Sequence, residues 1–139
     1  MIYQTTPAIF LQNFICLDVG QKKTGLAHNF NNNKIAFAWK VLPTENVLEE
    51  LSQHNCKVIV GLPTAYPESQ SFVFITEFID FLQKCLPSCD FIFWDETGSS
   101  DVVRKSYKYG RAGFSKKLHN NYDAKSASVI LSDFIFCNF

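Results

Sequence analysis

Between Lys57 and Pro63 the chain reads Lys-Val-Ile-Val-Gly-Leu-Pro, a short apolar run with no polar residue to alternate against. Continuous Val and Ile imply burial on both faces, the condition of a central strand in a parallel sheet. Phe91-Ile92-Phe93-Trp94 repeats the pattern and ends in Asp95-Glu96. From Ser69 to Leu86, Ile75, Phe78, Ile79, Leu82 and Leu86 fall at the spacing of one helix face. Strand, helix and second buried strand form a crossover unit, which demands parallel pairing. The chain therefore predicts an α/β fold.

The segment ahead of that unit is patterned differently. Asn13 to Gly20, Thr24 to Phe30 and Lys34 to Leu42 read as three strands, with Asn31-Asn32-Asn33 as one of the turns. Asparagine tolerates the positive φ that hairpins need, so the three form an antiparallel meander. Pro43-Thr44 closes the last strand and caps a helix, with Glu45 in its first turn and Val47, Leu48 and Leu51 as its apolar face. Past Glu96, Ser99 or Ser100 caps a helix running to about Tyr109. Gly110 to Asn121 reads as a basic loop and Asp123 to Phe136 as a helix with Ala127, Ile130, Leu131 and Phe134 on one side. With Met1 to Gln12 as a lead-in, the expected order is β-β-β-α-β-α-β-α-α in one domain over residues 1–139. Three antiparallel strands precede two parallel ones, and helices flank the sheet.

Composition narrows the class. At 47% hydrophobic residues, with 14 Phe among 139, the chain is too apolar to stay disordered. Its net charge is zero, so any affinity for nucleic acid must come from a local basic patch. No apolar run reaches the ~18 residues that span a membrane, and the N-terminus lacks the basic region and cleavage site of a signal peptide. A soluble cytoplasmic protein is expected. Five scattered cysteines (Cys16, Cys56, Cys85, Cys89 and Cys137), an odd number and mostly in apolar runs, read as reduced core thiols. No CxxC or His pair accompanies Cys85 and Cys89, so zinc is not expected there.

Within the first strand, Phe14 to Leu17 is interrupted by one carboxylate, Asp18, followed by Gly20, the basic turn Gln21-Lys22-Lys23 and a second glycine, Gly25. An acid inside such a strand is costly unless something positive compensates it. Gly20 lets a ligand or backbone approach closely. Ligands of open α/β sheets sit beyond the carboxyl ends of the parallel strands, and three acids can converge there: Asp18, Glu96 and Asp123. Two carboxylates ~4 Å apart repel by about 4 kcal/mol at an effective dielectric near 20. A divalent cation reverses that sign, and Mg²⁺ favours carboxylates together with water and phosphate oxygens. Each acid alone has a plainer reading: Asp18 as a turn acid bonded to backbone, Asp95-Glu96 as a strand end, Asp123 as a helix N-terminal acid favoured by the dipole.

A second ingredient is the run Arg104, Lys105, Lys108, Arg111, Lys116 and Lys117, which no acid interrupts and in which Tyr107, Tyr109 and Phe114 are interleaved. Charges with aromatics suit phosphate contacts and base stacking, although a solvated helix face would look the same. Lys22 and Lys23 extend the positive rim.

With those residues in place, the chain resembles the YqgF family of bacterial proteins, which have the ribonuclease H-like fold and are related to Holliday-junction resolvases. Leu17-Asp18-Val19-Gly20-Gln21-Lys22-Lys23-Thr24-Gly25-Leu26-Ala27 is similar to the first motif of that family, and Val58-Ile59-Val60-Gly61-Leu62-Pro63 to its buried strand ending in Gly-Leu-Pro. Trp94-Asp95-Glu96-Thr97 stands where the family has Asp-Glu-Arg, and Asp123-Ala124-Lys125-Ser126-Ala127 resembles its last helix. The resemblance implies a ribonuclease H-like mixed sheet, with Asp18, Glu96 and Asp123 as catalytic acids holding Mg²⁺ or Mn²⁺. It implies metal-dependent hydrolysis of structured nucleic acid, with family members assigned to the 5′ end of 16S rRNA precursors in pre-ribosomal particles. In a two-metal scheme one ion activates water and the other stabilises the leaving oxygen. The nucleic-acid contacts would be Lys22, Lys23, Arg104, Lys105, Lys108, Arg111, Lys116 and Lys117. Thr97 departs from the family Arg, and Thr64-Ala65-Tyr66-Pro67-Glu68 replaces the usual glycine-containing loop. Rival readings are a branched-DNA resolvase, a non-catalytic RNA or ribosome-associated module of the same fold, and an actin-like nucleotide binder, for which this chain supplies only one of the two lobes. The monomer and the homodimer both stay open.

Overall fold

The computed structural model describes residues 11–96 and 115–139, with the side chains of 115–123 excepted. β1 (Phe14–Val19), β2 (Lys23–His28) and β3 (Phe37–Pro43) lead through a short turn of 3₁₀ helix into α1 (Val47–Ser52). β4 (Lys57–Leu62), α2 (Gln70–Cys85), β5 (Phe91–Asp95) and α3 (Ser115–Asn138) follow. The strands form one five-stranded sheet in the order β3-β2-β1-β4-β5. β1 pairs antiparallel with β2, and β2 with β3, whereas β4 pairs parallel with both β1 and β5. The expected mixed sheet is the one observed.

Strand periodicity sorts the core into two layers. Ile15, Leu17, Val19, Val58, Val60 and Leu62 pack with Val47 and Leu51 of α1 and Ile75, Ile79 and Leu82 of α2. Phe14, Cys16 and Ile59 face the other way, against Ala127, Ile130, Leu131 and Phe134 of α3. Phe91 and Phe93 join the first layer, Ile92 and Trp94 the second. The indole of Trp94 donates to Asp133 Oδ2 at 2.8 Å and ties β5 to α3.

α2 starts as its sequence indicates: the Ser69 hydroxyl accepts from the Phe72 amide at 3.2 Å. Elsewhere side chains shift the expected boundaries. β2 stops at His28 and β3 starts at Phe37, because Asn29 is fully buried and replaces the ladder. Its carbonyl accepts from Phe14 N at 2.6 Å while its amide donates to the carbonyls of Gln12 and Asn33. Asn31 and Asn32 take the positive φ of the turn, at 69° and 57°. Thr44 does not cap α1. Its hydroxyl donates instead to the Gly20 carbonyl at 2.6 Å, so the Thr24 hydroxyl 2.9 Å away must donate to Thr44.

α3 begins at Ser115 rather than at Asp123, so part of the expected basic loop is helix. Ser115 to Asn121 holds no Gly or Pro to stop helix propagation, and its polar surface hid the element. Asp123 is therefore an interior helix position, not a helix N-terminal acid. The helix expected from Ser99 or Ser100 to Tyr109 lies outside the described residues. Of the five free cysteines only Cys16 is buried, with Cys85 and Cys137 exposed. Both lie on helix faces turned from the core, so the expectation of core thiols fails for these two; it holds for Cys16 and, at the core's margin, for the half-buried Cys56 and Cys89.

Candidate active site

Alternation along β1, β4 and β5 puts Asp18, Gly61 and Glu96 on the sheet face that carries α3. Asp18 stands opposite Gly25 of β2, one residue beyond the β1–β4 register pair Leu17 and Val60. Gly61 pairs with Trp94 across β4 and β5. Glu96 is the first residue after β5, and its amide donates to the Leu62 carbonyl at 3.1 Å, which extends the ladder by one bond. All three positions are at the carboxyl ends of the parallel strands.

Gly61 is what lets the glutamate lie where it does. A Cβ there would stand 2.6 Å from Ile130 Cδ1, 3.2 Å from Glu96 Oε2 and 3.3 Å from Glu96 Cβ. The side chain of Glu96 therefore crosses the bare backbone of β4, toward β1 and beneath α3. Its Oε2 is buried and has no hydrogen-bond partner among the described residues. Burial first, and the neighbouring charge of Asp95 second, push its carboxyl up from 4.5 to about 7.

Cys16 locates the second acid relative to the first. This wholly buried thiol is pushed well above its ordinary value by burial, then by Asp18, then by Glu96. Both carboxylates thus act on one sulfur in the floor of β1. Asp18 itself is partly buried. Hard carboxylate oxygens, one of them desolvated and without a partner among the described residues, are the donor set that Mg²⁺ or Mn²⁺ takes. The residues fit such an ion.

Asp123 occupies the α3 position three and four residues before Ser126 and Ala127, both fully buried against the sheet. Its side chain lies outside the described ones. Among the described residues no three His, Cys, Asp or Glu side chains group as a metal site, so Asp18 and Glu96 are the two of the three expected acids whose side chains are described.

The β1–β2 turn closes at the same end. A Cβ on Gly20 would stand 2.5 Å from the Lys23 carbonyl, so the close approach this glycine permits is by backbone. The Thr44 amide donates to the Lys22 carbonyl at 2.9 Å and, with the Thr44 hydroxyl on Gly20, fixes the turn. Lys22 and Lys23 are exposed on it, at the rim beyond Asp18. Arg104, Lys105, Lys108 and Arg111 lie outside the described residues. Lys116 and Lys117 belong to the first turn of α3, their side chains likewise undescribed. Sequence reasoning took Gly61 only as part of a motif. A glycine inside a Val-rich strand was the available signal that something passes close by.

A mixed sheet in this order, with acids at the carboxyl ends of its first and last strands and a helix laid across them, defines a ribonuclease H-like domain. Residues 12–136 match the family model described as "RuvX: Holliday junction resolvase", and the chain belongs to that family, the YqgF family of the motifs above. A protein of Bacteroides fragilis named "Putative pre-16S rRNA nuclease" is 26% identical over 135 residues, covering 90% of this chain and 96% of the relative. Relatives of the same name occur in Porphyromonas gingivalis, 26% identical with 87% and 94% covered, and in Phocaeicola vulgatus, 27% identical with 90% and 96% covered. Among the described residues no helix is long and apolar enough to cross a membrane.

Proposed function

We propose that the protein is a metal-dependent endonuclease of structured RNA, with the 5′ region of a 16S rRNA precursor as its substrate. The observation that carries this reading is the Glu96 carboxylate, buried over Gly61 with an oxygen that has no hydrogen-bond partner among the described residues, and acting with Asp18 on the thiol of Cys16. Asp18 and Glu96, with Asp123 as the third acid, would hold Mg²⁺ or Mn²⁺. When bound, such an ion supplies activation of the attacking water and charge neutralisation at the phosphodiester.

The chain's own residues do the rest. The backbone bond from Glu96 to Leu62 and the bare Cα of Gly61 set the carboxylate's position before any ligand arrives. Ile130 and the α3 stripe keep water from its inner side. Lys22 and Lys23, on a turn pinned by Thr44, offer cations to the substrate's phosphates. The substrate comes from the names of the relatives. The family description favours one second reading, cleavage of branched DNA. A non-catalytic RNA-binding or ribosome-associated module is the third, suited by Thr97 in place of Arg.

Cleavage of a pre-16S RNA fragment and of a four-way DNA junction, side by side in Mg²⁺ and in Mn²⁺, tests the proposal. RNA cleavage that vanishes in Asp18→Asn and Glu96→Gln, with folding intact by circular dichroism, is the expected result. Junction cleavage alone would move the substrate to DNA. RNA binding without cleavage in either metal would leave only the module.

A further inference from the structure

The turn that follows β4 sets an aromatic ring at the same end of the sheet as the carboxylates. The carbonyl of Leu62 accepts two amides, that of Glu96 at 3.1 Å and that of Thr64 at 2.9 Å. The strand end that fixes Glu96 thus also starts the turn. Tyr66 N donates to the Pro63 carbonyl at 3.0 Å and closes it. The Tyr66 carbonyl accepts from the Ser69 amide at 3.1 Å and from the Ser69 hydroxyl at 2.8 Å. Since Ser69 also caps α2, the backbone of Tyr66 is held on both sides. Its side chain is nevertheless 57% exposed.

A large ring left in water on a fixed backbone has paid its ordering cost before any ligand arrives. A β-turn keeps its end Cα atoms within about 7 Å, which puts Tyr66 on the order of 10 Å from the Glu96 backbone. That is within reach of the nucleotides beside a phosphate at the carboxylates. The exposed Glu68 two residues on makes the turn a poor seat for phosphate. What remains is an uncharged π face, and in a polynucleotide the matching group is the base. Phosphate contacts fall instead to Lys22 and Lys23 on the neighbouring turn.

We propose that Tyr66 is a stacking platform for an unpaired nucleobase next to the scissile phosphate. The inference rests on the nuclease reading above and adds to it the form of the substrate: single-stranded where it passes β4. Sequence selectivity at this contact is low, because every base has a π face.

The test is fluorescence anisotropy with a short labelled single-stranded RNA, in EDTA so that nothing is cut, with a DNA strand of the same sequence and an RNA duplex as further probes. Tyr66→Ala weakens both single strands by about five- to a hundred-fold and leaves the duplex unchanged. Tyr66→Trp keeps the affinity, and the emission it adds over the unaltered protein is quenched on titration with RNA. Unchanged single-strand affinity in Tyr66→Ala overturns the platform and leaves the nuclease reading standing. An unaltered protein that binds none of the three probes overturns both. As Tyr66 is largely in solvent, folding of the variants is not at stake.

Discussion

The side chain of Glu96 lies across the backbone of Gly61: a Cβ on the glycine would stand 3.2 Å from Oε2 of the glutamate. The same Cβ would stand 2.6 Å from Cδ1 of Ile130, a fully buried side chain that cannot swing into open space. Gly61 therefore serves packing and the site together.

Gly61→Ala separates those two roles. Forcing a methyl between Ile130 and Glu96 is overpacking, which costs about 1–3 kcal/mol. The urea midpoint should fall accordingly, while the protein remains folded at neutral pH. Metal-dependent cleavage should fall much further than the stability loss explains, since the carboxylate is displaced. A variant with full activity and a lowered midpoint would show that the position of Glu96 is not critical.

Glu96 also sets a pH dependence of stability. Its carboxyl is raised in the fold, from 4.5 to about 7, by burial and by Asp95. Below the unfolded value both states are protonated and the group costs nothing. As pH climbs through this window the unfolded chain ionises while the fold holds its proton, so stability is lost, by roughly 3 kcal/mol in full above the folded value. Glu96→Gln should remove the slope and raise the melting temperature at pH 8 but not at pH 4. A bound divalent ion favours the ionised form. Millimolar Mn²⁺ should therefore raise the melting temperature of the unaltered protein more at pH 8 than at pH 5, and EDTA should abolish the difference.

Ser126 carries the other buried polar atom without a hydrogen-bond partner among the described residues, its Oγ. It is fully buried on α3, on the stripe that covers the sheet. Removing such a hydroxyl relieves a desolvation cost of about 1–3 kcal/mol, and alanine is the better helix former by some tenths. Ser126→Ala should raise stability by ~1 kcal/mol or more in denaturant titration. A loss of stability would mean that the hydroxyl has a partner worth keeping.

The sheet was legible because its strands follow simple periods. Val58-Ile59-Val60 is buried on both faces as its unbroken apolar run implies, and Ile75, Ile79 and Leu82 mark the inner face of α2 as spacing predicts. Phe91-Ile92-Phe93 is a strand as expected but only half-buried, because β5 is the edge of the sheet. What periodicity could not give were features set by single side chains. Asn29 ends two strands through bonds to residues distant in sequence, and Thr44 spends its hydroxyl on Gly20 rather than on a helix end. The first turns of α3 were hidden because Lys, His and Asn dilute any apolar stripe. Asp18 and Glu96 were readable as acids at strand ends. Their relation was not, since it depends on the space left by Gly61 and on the thiol beneath them.

That thiol supplies the last expectation. Cys16 is wholly buried and its ionisation is opposed by burial and by the charges of Asp18 and Glu96. The thiolate is the reactive form, so this sulfur is doubly protected. Cys85 and Cys137 are exposed, and Cys56 and Cys89 are half-buried with thiols pushed up by burial. In a disulfide-exchange assay with a coloured leaving group, Cys85 and Cys137 should react first, Cys56 and Cys89 slowly, and Cys16 only in denaturant. Mass spectrometry of the labelled peptides assigns the order. Prompt labelling of Cys16 in the native protein would mean that β1 opens beneath the two carboxylates, and that the floor on which the site depends is not a fixed one.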